Sequence, residues 1–286
     1  MTRHFLTGAE LTKDELNRLV ERALELKRDR LASRALEGRS VALVFEKPST
    51  RTRASFDVGV HELGGHPLVL RGDELQIARG ESLRDLALVL SRMVHAIGVR
   101  TGPHEAVEEL ARHAGVPVVN MLTREHHPCQ ALADLVTLRE RFGRLDGLRL
   151  AYVGDGNNVA RSLVILGELA GVDVAVSSPP ELSLDGRPAV SPENAASGAH
   201  ALYADVWVSM GDEDDTELKR ELLTPYRLDE ALMAHARDDA IALHCLPAHP
   251  GEEISEGLLY GERSAVFDQA ENRLHAQKAL LELLVG

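Results

Sequence analysis

The chain has 286 residues, 44% of them hydrophobic, which is enough material for two packed cores. A formal net charge of −13 and an aromatic content of 3% argue against a nucleic-acid partner, which needs a basic surface and stacking platforms. No window approaches the roughly 18 consecutive apolar residues of a membrane span, and Met1–Phe5 lacks the apolar core of a signal peptide, so a cytoplasmic protein with no membrane partner is expected.

The first element is a helix opening on Thr12-Lys13-Asp14-Glu15, a capping box, with Leu16, Leu19, Val20 and Ala23 at helical spacing. Short apolar runs then alternate with helical patterns. The runs are Val41–Phe45, Pro67–Leu70, Val94–Val99, Val116–Val119, Leu148–Val153, Val172–Val176, Val206–Val208 and Ala240–Leu243. Such alternation predicts an α/β protein of parallel sheets covered by helices. The uneven linkers fit two domains, each an open and mainly parallel sheet, better than one closed barrel. The division falls in a helix that starts near Pro128 and ends at Phe142, with Gly143 suited to the position after the last turn. Ser177–Gly198 reads as loop with at most a short helix, and Ala270–Val285 as a final helix.

Several clusters along this frame carry chemistry. Ser49-Thr50-Arg51-Thr52-Arg53 follows a strand and opens a helix, where free N–H groups and the positive dipole end meet three hydroxyls and a guanidinium. That combination suits a phosphate, although Ser and Thr are also ordinary caps. His127 and Gln130 flank Pro128 at a second helix start and can hydrogen-bond a polarised carbonyl or an anion. Gly154-Asp155-Gly156-Asn157-Asn158 follows a strand and is only partly like a dinucleotide-binding turn, because Val159 occupies the place of the third glycine. Its two amides suit a polar ligand such as an amino acid. Alternation within the run through Val206–Val208 places Asp205, Trp207 and Ser209 on one strand face, near the end where open sheets bind ligands. His244-Cys245-Leu246-Pro247 and Glu271-Asn272-Arg273 complete the set.

Soft ligands for zinc exist in His126, His127, Cys129, His244 and Cys245, but no C-x-x-C or H-E-x-x-H spacing joins them. An extended His244-Cys245 would also aim its two side chains at opposite faces. The two cysteines, Cys129 and Cys245, each lie inside a distinctive cluster, which favours a site role over a bridge. No nucleophile motif for covalent catalysis is present.

Taken together and in this order, the clusters resemble the aspartate/ornithine carbamoyltransferase family. The turn Ser49–Arg53 and His127-Pro128-Cys129-Gln130 are similar to its shared carbamoyl-phosphate signature. Asp155-Gly156-Asn157-Asn158, Ser209-Met210-Gly211 and His244-Cys245-Leu246-Pro247 are similar to its ornithine branch. The resemblance implies a carbamoyl-phosphate-binding domain over residues 1–128, joined by a C-terminal helix 270–286 that packs back on it. A linking helix 129–145 and an ornithine-binding domain over 146–269 complete the implied plan. It also implies carbamoyl transfer to the side-chain amine of ornithine by direct attack, as a step of arginine biosynthesis, with no metal and no cofactor.

Residue roles follow from the resemblance alone. Ser49, Thr50, Arg51 and Thr52 would hold the phosphate, with Arg273 reaching in from the last helix. Arg100, His127 and Thr52 would polarise the carbamoyl carbonyl, and Gln130 with the Cys245-Leu246 backbone would hold its nitrogen side. Asn158, Asp205, Ser209 and Met210 would bind ornithine, and Cys245 would lie near the δ-amine. Gln76 would reach a neighbouring subunit's site, which implies a homotrimer or a multiple of trimers with shared sites. Ala204 and Arg161 depart from the residues usual in the family, so N-acetylornithine or putrescine are the alternative amines, and an inactive binding relative is the alternative of another class.

Overall fold

The computed structural model describes residues 2–76, 80–184, 190–208 and 216–286. The chain forms two compact units, one made of Met1–Val136 with Glu271–Gly286, the other of Thr137–Ala270. Each is built on a four-stranded sheet whose neighbouring strands are all parallel.

The first unit opens with α1 (Lys13–Arg28), and both halves of its capping box are made: Thr12 Oγ1 accepts from Glu15 N at 3.3 Å and Glu15 accepts from Thr12 N at 2.9 Å. Strands β1 (Ser40–Phe45), β2 (His66–Arg71), β3 (Ala96–Arg100) and β4 (Val118–Leu122) are arranged β2-β1-β3-β4. Helices α2 (Thr50–Glu62), α3 (Leu83–Leu90) and α4 (His104–His113) make the connections. Near-continuous burial along β1, β3 and β4 is what a sheet covered on both faces requires. One face packs Ala42, Val44, Ile97, Val99 and Val118 against Leu86, Leu90, Val107 and Leu110.

In the second unit β5 (Arg149–Val153), β6 (Asp173–Ser177), β7 (Ala201–Ala204) and β8 (Ile241–His244) are arranged β6-β5-β7-β8. The connecting helices are α6 (Asn158–Ala170), α7 (Pro192–Ala196), α8 (Thr216–Leu223), α9 (Glu230–Met233) and α10 (Glu256–Tyr260). The remaining two helices, α5 (Pro128–Phe142) and α11 (Val266–Val285), run through the positions where the chain passes from one unit to the other. Gly143 ends α5 at φ 70°, a conformation other residues adopt at a cost.

Two expectations need correction. The predicted strand Val206–Val208 is not one: the strand is Ala201–Ala204, and 207–208 form a bend after it. The β-branched and aromatic residues of Val206-Trp207-Val208 carry the stronger strand propensity, but pairing with β5 and β8 selects the small, fully buried Ala-Leu-Tyr-Ala segment. The strand face expected to hold Asp205 and Trp207 therefore does not form, and Ser209 lies outside the described residues. The last helix also begins four residues before Ala270, at Val266. Among the described residues no helix is long and apolar enough to cross a membrane.

Candidate active site

Both sheets change winding direction at the same place in the strand order. In the first unit this lies between β1 and β3, in the second between β5 and β7. Loops that leave the carboxyl ends of such strands diverge and open a crevice. The predicted clusters sit at those strand ends in each unit.

In the first unit, register places Phe45, the last residue of β1, beside Arg100, the last of β3. A register shift between Val99 and Arg100 in the β3–β4 pairing re-aims the strand there. Ser49 caps α2, its Oγ accepting from Thr52 N at 3.2 Å. Along the backbone of this turn Arg53 N donates to Ser49 O at 3.3 Å, so the amides of Thr50 and Arg51 precede that helical hydrogen bond at the dipole's positive end. Thr52 is buried, and its hydroxyl receives Arg273 Nη2 at 2.7 Å and Arg100 Nη1 at 3.5 Å. Arg273 also donates to Gln130 Oε1, and Gln130 Nε2 donates to Asp134 Oδ1 at 2.8 Å. Arg51, one residue before Thr52, is half-buried, whereas Thr50 and Arg53 are exposed. Two buried guanidiniums converging on one hydroxyl make a strongly cationic point that favours an anion.

His127 lies buried at the start of α5. Burial first, then the nearby charges of Arg273 and Arg100, push its pKa well below 6.5. It is therefore a neutral imidazole, able to donate one hydrogen bond without carrying charge. Cys129 is buried two residues on, donates to Asn120 O at 3.3 Å, and is pushed up to about 12 by burial. It packs the helix start rather than facing a ligand, contrary to a site role. Gln76 lies exposed beyond β2, its carbonyl accepting from Glu81 N at 3.1 Å.

In the second unit, register sets Val153, Ala204 and His244 side by side, so Gly154, Asp205 and Cys245 leave three adjacent strands at one level. Asp205 is buried and accepts from Asn157 Nδ2 at 2.7 Å, from Cys245 Sγ at 2.8 Å and from Val206 N at 2.8 Å. Asn157 caps α6 and Asn158 is its first residue. His244 and Cys245 do point apart, since His244 Nε2 lies 3.2 Å from Glu253 Oε1. Leu246 adopts φ 58°, which turns the chain sharply after Cys245. Ser209 and Met210 lie outside the described residues. Ala204 belongs to the apolar core beneath the site, with Ala151 and Leu202, and not to the ligand side. Arg161 lies half-buried in the first turn of α6.

Gly156 is required by a close approach. A Cβ there would stand 2.4 Å from Leu182 O and 2.7 Å from Leu184 N, both backbone atoms. Gly156→Ala is expected to destabilise the chain by about 1–3 kcal/mol, read as a lower urea midpoint at unchanged slope. An unchanged midpoint would show that residues 182–184 yield freely.

Lys219 of α8 was not foreseeable: it pairs with Asp155 at 3.1 Å, with both side chains largely buried. A lysine in Thr-Glu-Leu-Lys-Arg-Glu-Leu reads as solvated helix surface, and its partner is 64 residues away. Tyr152 reads in the sequence as an ordinary core strand residue, yet its hydroxyl donates to Asn157 Oδ1 at 3.1 Å. Among the described residues one group could gather a metal, His249, Glu252 and Glu253, and it includes none of the histidines and cysteines weighed as zinc ligands.

Histidine burial has a consequence for stability. His4, His127, His200 and His275 are all lowered from 6.5, in each case chiefly by burial. In the unfolded chain they take up protons as pH falls through about 6.5, while the folded chain resists. Their contribution is thus complete above that pH and lost below it. A second loss follows below about 4.5, where Glu15, held down at about 2 chiefly by Arg3, must be protonated. The melting temperature should fall in these two windows between pH 7.5 and 3; a flat curve from pH 7.5 to 5 would contradict the neutral buried histidines.

Comparison with known proteins agrees with this layout. A model of the aspartate/ornithine carbamoyltransferase carbamoyl-P binding domain matches residues 3–140, and one of the Asp/Orn binding domain matches residues 146–284. The chain belongs to the aspartate/ornithine carbamoyltransferase family. It is 53% identical to an ornithine carbamoyltransferase of Acidothermus cellulolyticus, over 100% of this chain and 97% of that one. The structure of ornithine carbamoyltransferase from Thermus thermophilus superposes with a TM-score of 0.93 at 44% identity, covering 100% of both chains. A structure of N-acetyl-L-ornithine transcarbamylase also matches, with a TM-score of 0.87 at 31% identity over 99% of this chain and 100% of the other.

Proposed function

We propose that this chain transfers the carbamoyl group of carbamoyl phosphate to the δ-amine of L-ornithine, giving L-citrulline and phosphate. The observation that carries this reading is the buried Thr52 hydroxyl held between Arg273 and Arg100, with neutral His127 as a further donor. Ornithine is favoured over N-acetylornithine by the 53% and 44% identities to ornithine enzymes, against 31% to the acetylornithine enzyme.

The N–H groups and hydroxyls of Ser49, Thr50 and Thr52, with Arg51, hold the phosphate and take up the charge that grows on it as it leaves. Thr52, Arg100 and His127 donate to the carbonyl oxygen, where negative charge develops as the amine adds; preorganised donors of this kind are worth several kcal/mol. Gln130 holds the carbamoyl nitrogen, together with the Cys245-Leu246 backbone. Asp205 receives the α-ammonium of ornithine, and Asn158, Ser209 and Met210 complete its binding, with Cys245 at the δ-amine. One N–C bond forms, the C–O bond to phosphate breaks, and the attacking nitrogen gives its proton to the departing phosphate.

The chain works in the cytoplasm, in arginine biosynthesis, as a homotrimer or a multiple of trimers in which Gln76 reaches a neighbouring subunit. Exposed Leu88, Val89 and Met93, on and just after α3, favour an association surface on the same unit as Gln76.

The test is to incubate the protein with carbamoyl phosphate and ornithine, N-acetylornithine, putrescine or aspartate in turn and to measure the carbamoylated product. Product from ornithine is expected, with a rate that climbs from pH 6 to 9, because a free side-chain amine with a pKa near about 10 is the attacking species. Product from another amine and none from ornithine overturns the reading.

A further inference from the structure

Asp205 is the carboxylate to which the proposed function assigns the amine substrate, and the following rests on that assignment. Its surroundings contain a chain of hydrogen bonds that starts well behind it. Tyr152 is fully buried on β5, and burial drives its hydroxyl pKa well above the ordinary value, so it keeps its proton. That hydroxyl donates to Asn157 Oδ1 at 3.1 Å. The same oxygen accepts from Val159 N at 2.9 Å and Ala160 N at 3.3 Å. Three donors on one oxygen settle which way the amide faces. Its NH2 edge is left toward Asp205 Oδ2, at 2.7 Å.

On the other carboxylate oxygen, Oδ1 accepts from Val206 N and Cys245 Sγ, both at 2.8 Å. A carboxylate offers about four lone-pair sites. Three are engaged by the described residues, on both oxygens, so the plane of the group is fixed, and among the described residues one site on Oδ2 remains for a ligand N–H.

We infer that Asn157, oriented by Tyr152, is a positioning residue that fixes the Asp205 carboxylate for the substrate ammonium.

Capping alone does not explain the choice of residue. Asp or Ser would cap α6 as well as Asn does. Asp would set a second carboxylate against Asp205, and Ser is too short to reach both Tyr152 and Asp205. Only asparagine presents an acceptor to the helix and a donor to the carboxylate at once.

Asn157→Asp separates the two roles. It keeps the cap, and a negative charge at a helix N-terminus is favourable, but the like charge against buried Asp205 opposes folding, so the melting temperature should change little or fall. It replaces the donor facing Asp205 by a like charge. The KM for ornithine is expected to rise about tenfold or more, the scale for losing a hydrogen bond to a charged group, with the KM for carbamoyl phosphate within about twofold of the parent's. Tyr152→Phe, which removes one oxygen from a packed ring, should raise the ornithine KM by a smaller factor in the same direction. An ornithine KM unchanged in Asn157→Asp overturns the inference, as does a loss of stability with no change in KM. If Asn157→Asp does not fold, an unchanged ornithine KM in Tyr152→Phe overturns it.

A substrate-free measurement keeps this apart from the ornithine reading. Cys245 is half-exposed and Cys129 is buried, so iodoacetamide should alkylate Cys245. At pH 8 the added charge in Asn157→Asp disfavours the thiolate, and alkylation should slow; a rate equal to the parent's disconnects residue 157 from the Asp205–Cys245 pair and overturns the inference. A parent protein that carbamoylates another amine but not ornithine defeats the functional reading alone, and the KM comparison is then made with that amine.

Discussion

Replacing Arg51 by alanine is expected to lower kcat/KM by about three orders of magnitude, with ornithine or with any other accepted amine. Arg51 is half-buried at the positive end of α2, one residue before Thr52, on which Arg100 and Arg273 converge. A guanidinium can grip a phosphate through two hydrogen bonds, and removing such a partner from a desolvated anion costs about 3–5 kcal/mol. At about 1.4 kcal/mol per factor of ten, that is the loss named. The loss should fall on both kcat and the KM for carbamoyl phosphate, because charge on the phosphate grows as it leaves. Arg53, two residues on and exposed, serves as the control, and Arg53→Ala should stay within a few-fold of the parent. Steady-state rates at varied carbamoyl phosphate decide the matter. Turnover left intact by Arg51→Ala would remove the phosphate assignment.

The second large effect is expected on the other substrate. Asp205→Asn removes the charge proposed to receive the α-ammonium while keeping the shape, and should raise the ornithine KM by about a hundredfold or more. The KM for carbamoyl phosphate should be nearly unchanged. Asp205→Ala goes further, because Asn157 Nδ2, Cys245 Sγ and Val206 N lose their shared acceptor. It should therefore lose stability as well as affinity, by about 1–3 kcal/mol. If both variants raised the KM for carbamoyl phosphate and spared that for ornithine, the division of labour between the units would be reversed.

These two residues also mark how far the sequence could be read. Arg51 was legible because its meaning is local: a strand, a hydroxyl-rich turn and a helix start lie within a dozen residues, and helix termini bind anions by their own geometry. Asp205 was picked out for the wrong local reason. Val206-Trp207-Val208 has the chemistry of a strand, and the assignment of a shared face to Asp205 and Ser209 rested on it. Pairing partners decide which segment enters a sheet, and those lie about 50 residues upstream and 40 downstream, in β5 and β8. Asp205 still comes to the crevice, one residue after β7, because the end of a strand and not its face supplies the ligand position. Lys219 and Tyr152 were invisible for a related reason. Lys219 acts through a partner 64 residues away, Tyr152 through a turn whose shape the sequence does not show, and neither residue stands in a pattern that differs from ordinary helix surface or ordinary core. Ala204 drew attention as a departure near the amine, yet it points into the core with Ala151 and Leu202.

The discontinuous first unit has a consequence in time. Residues 1–136 leave the ribosome first, but Arg273, which completes the group around Thr52, lies in the final segment 271–286. Lys278 of that segment closes a buried ion pair with Glu62 at 2.8 Å, so the segment is part of the first unit's interior and not a tail laid on it. Chains fold as they emerge, N-terminal parts ahead. The anion cradle written near residue 50 therefore stays unfinished through nearly the whole of synthesis. On the proposed phosphate assignment, a nascent chain lacks Arg273 until the second unit has been made, and premature termination a few codons upstream of Arg273 is expected to yield an inactive product however much of it folds.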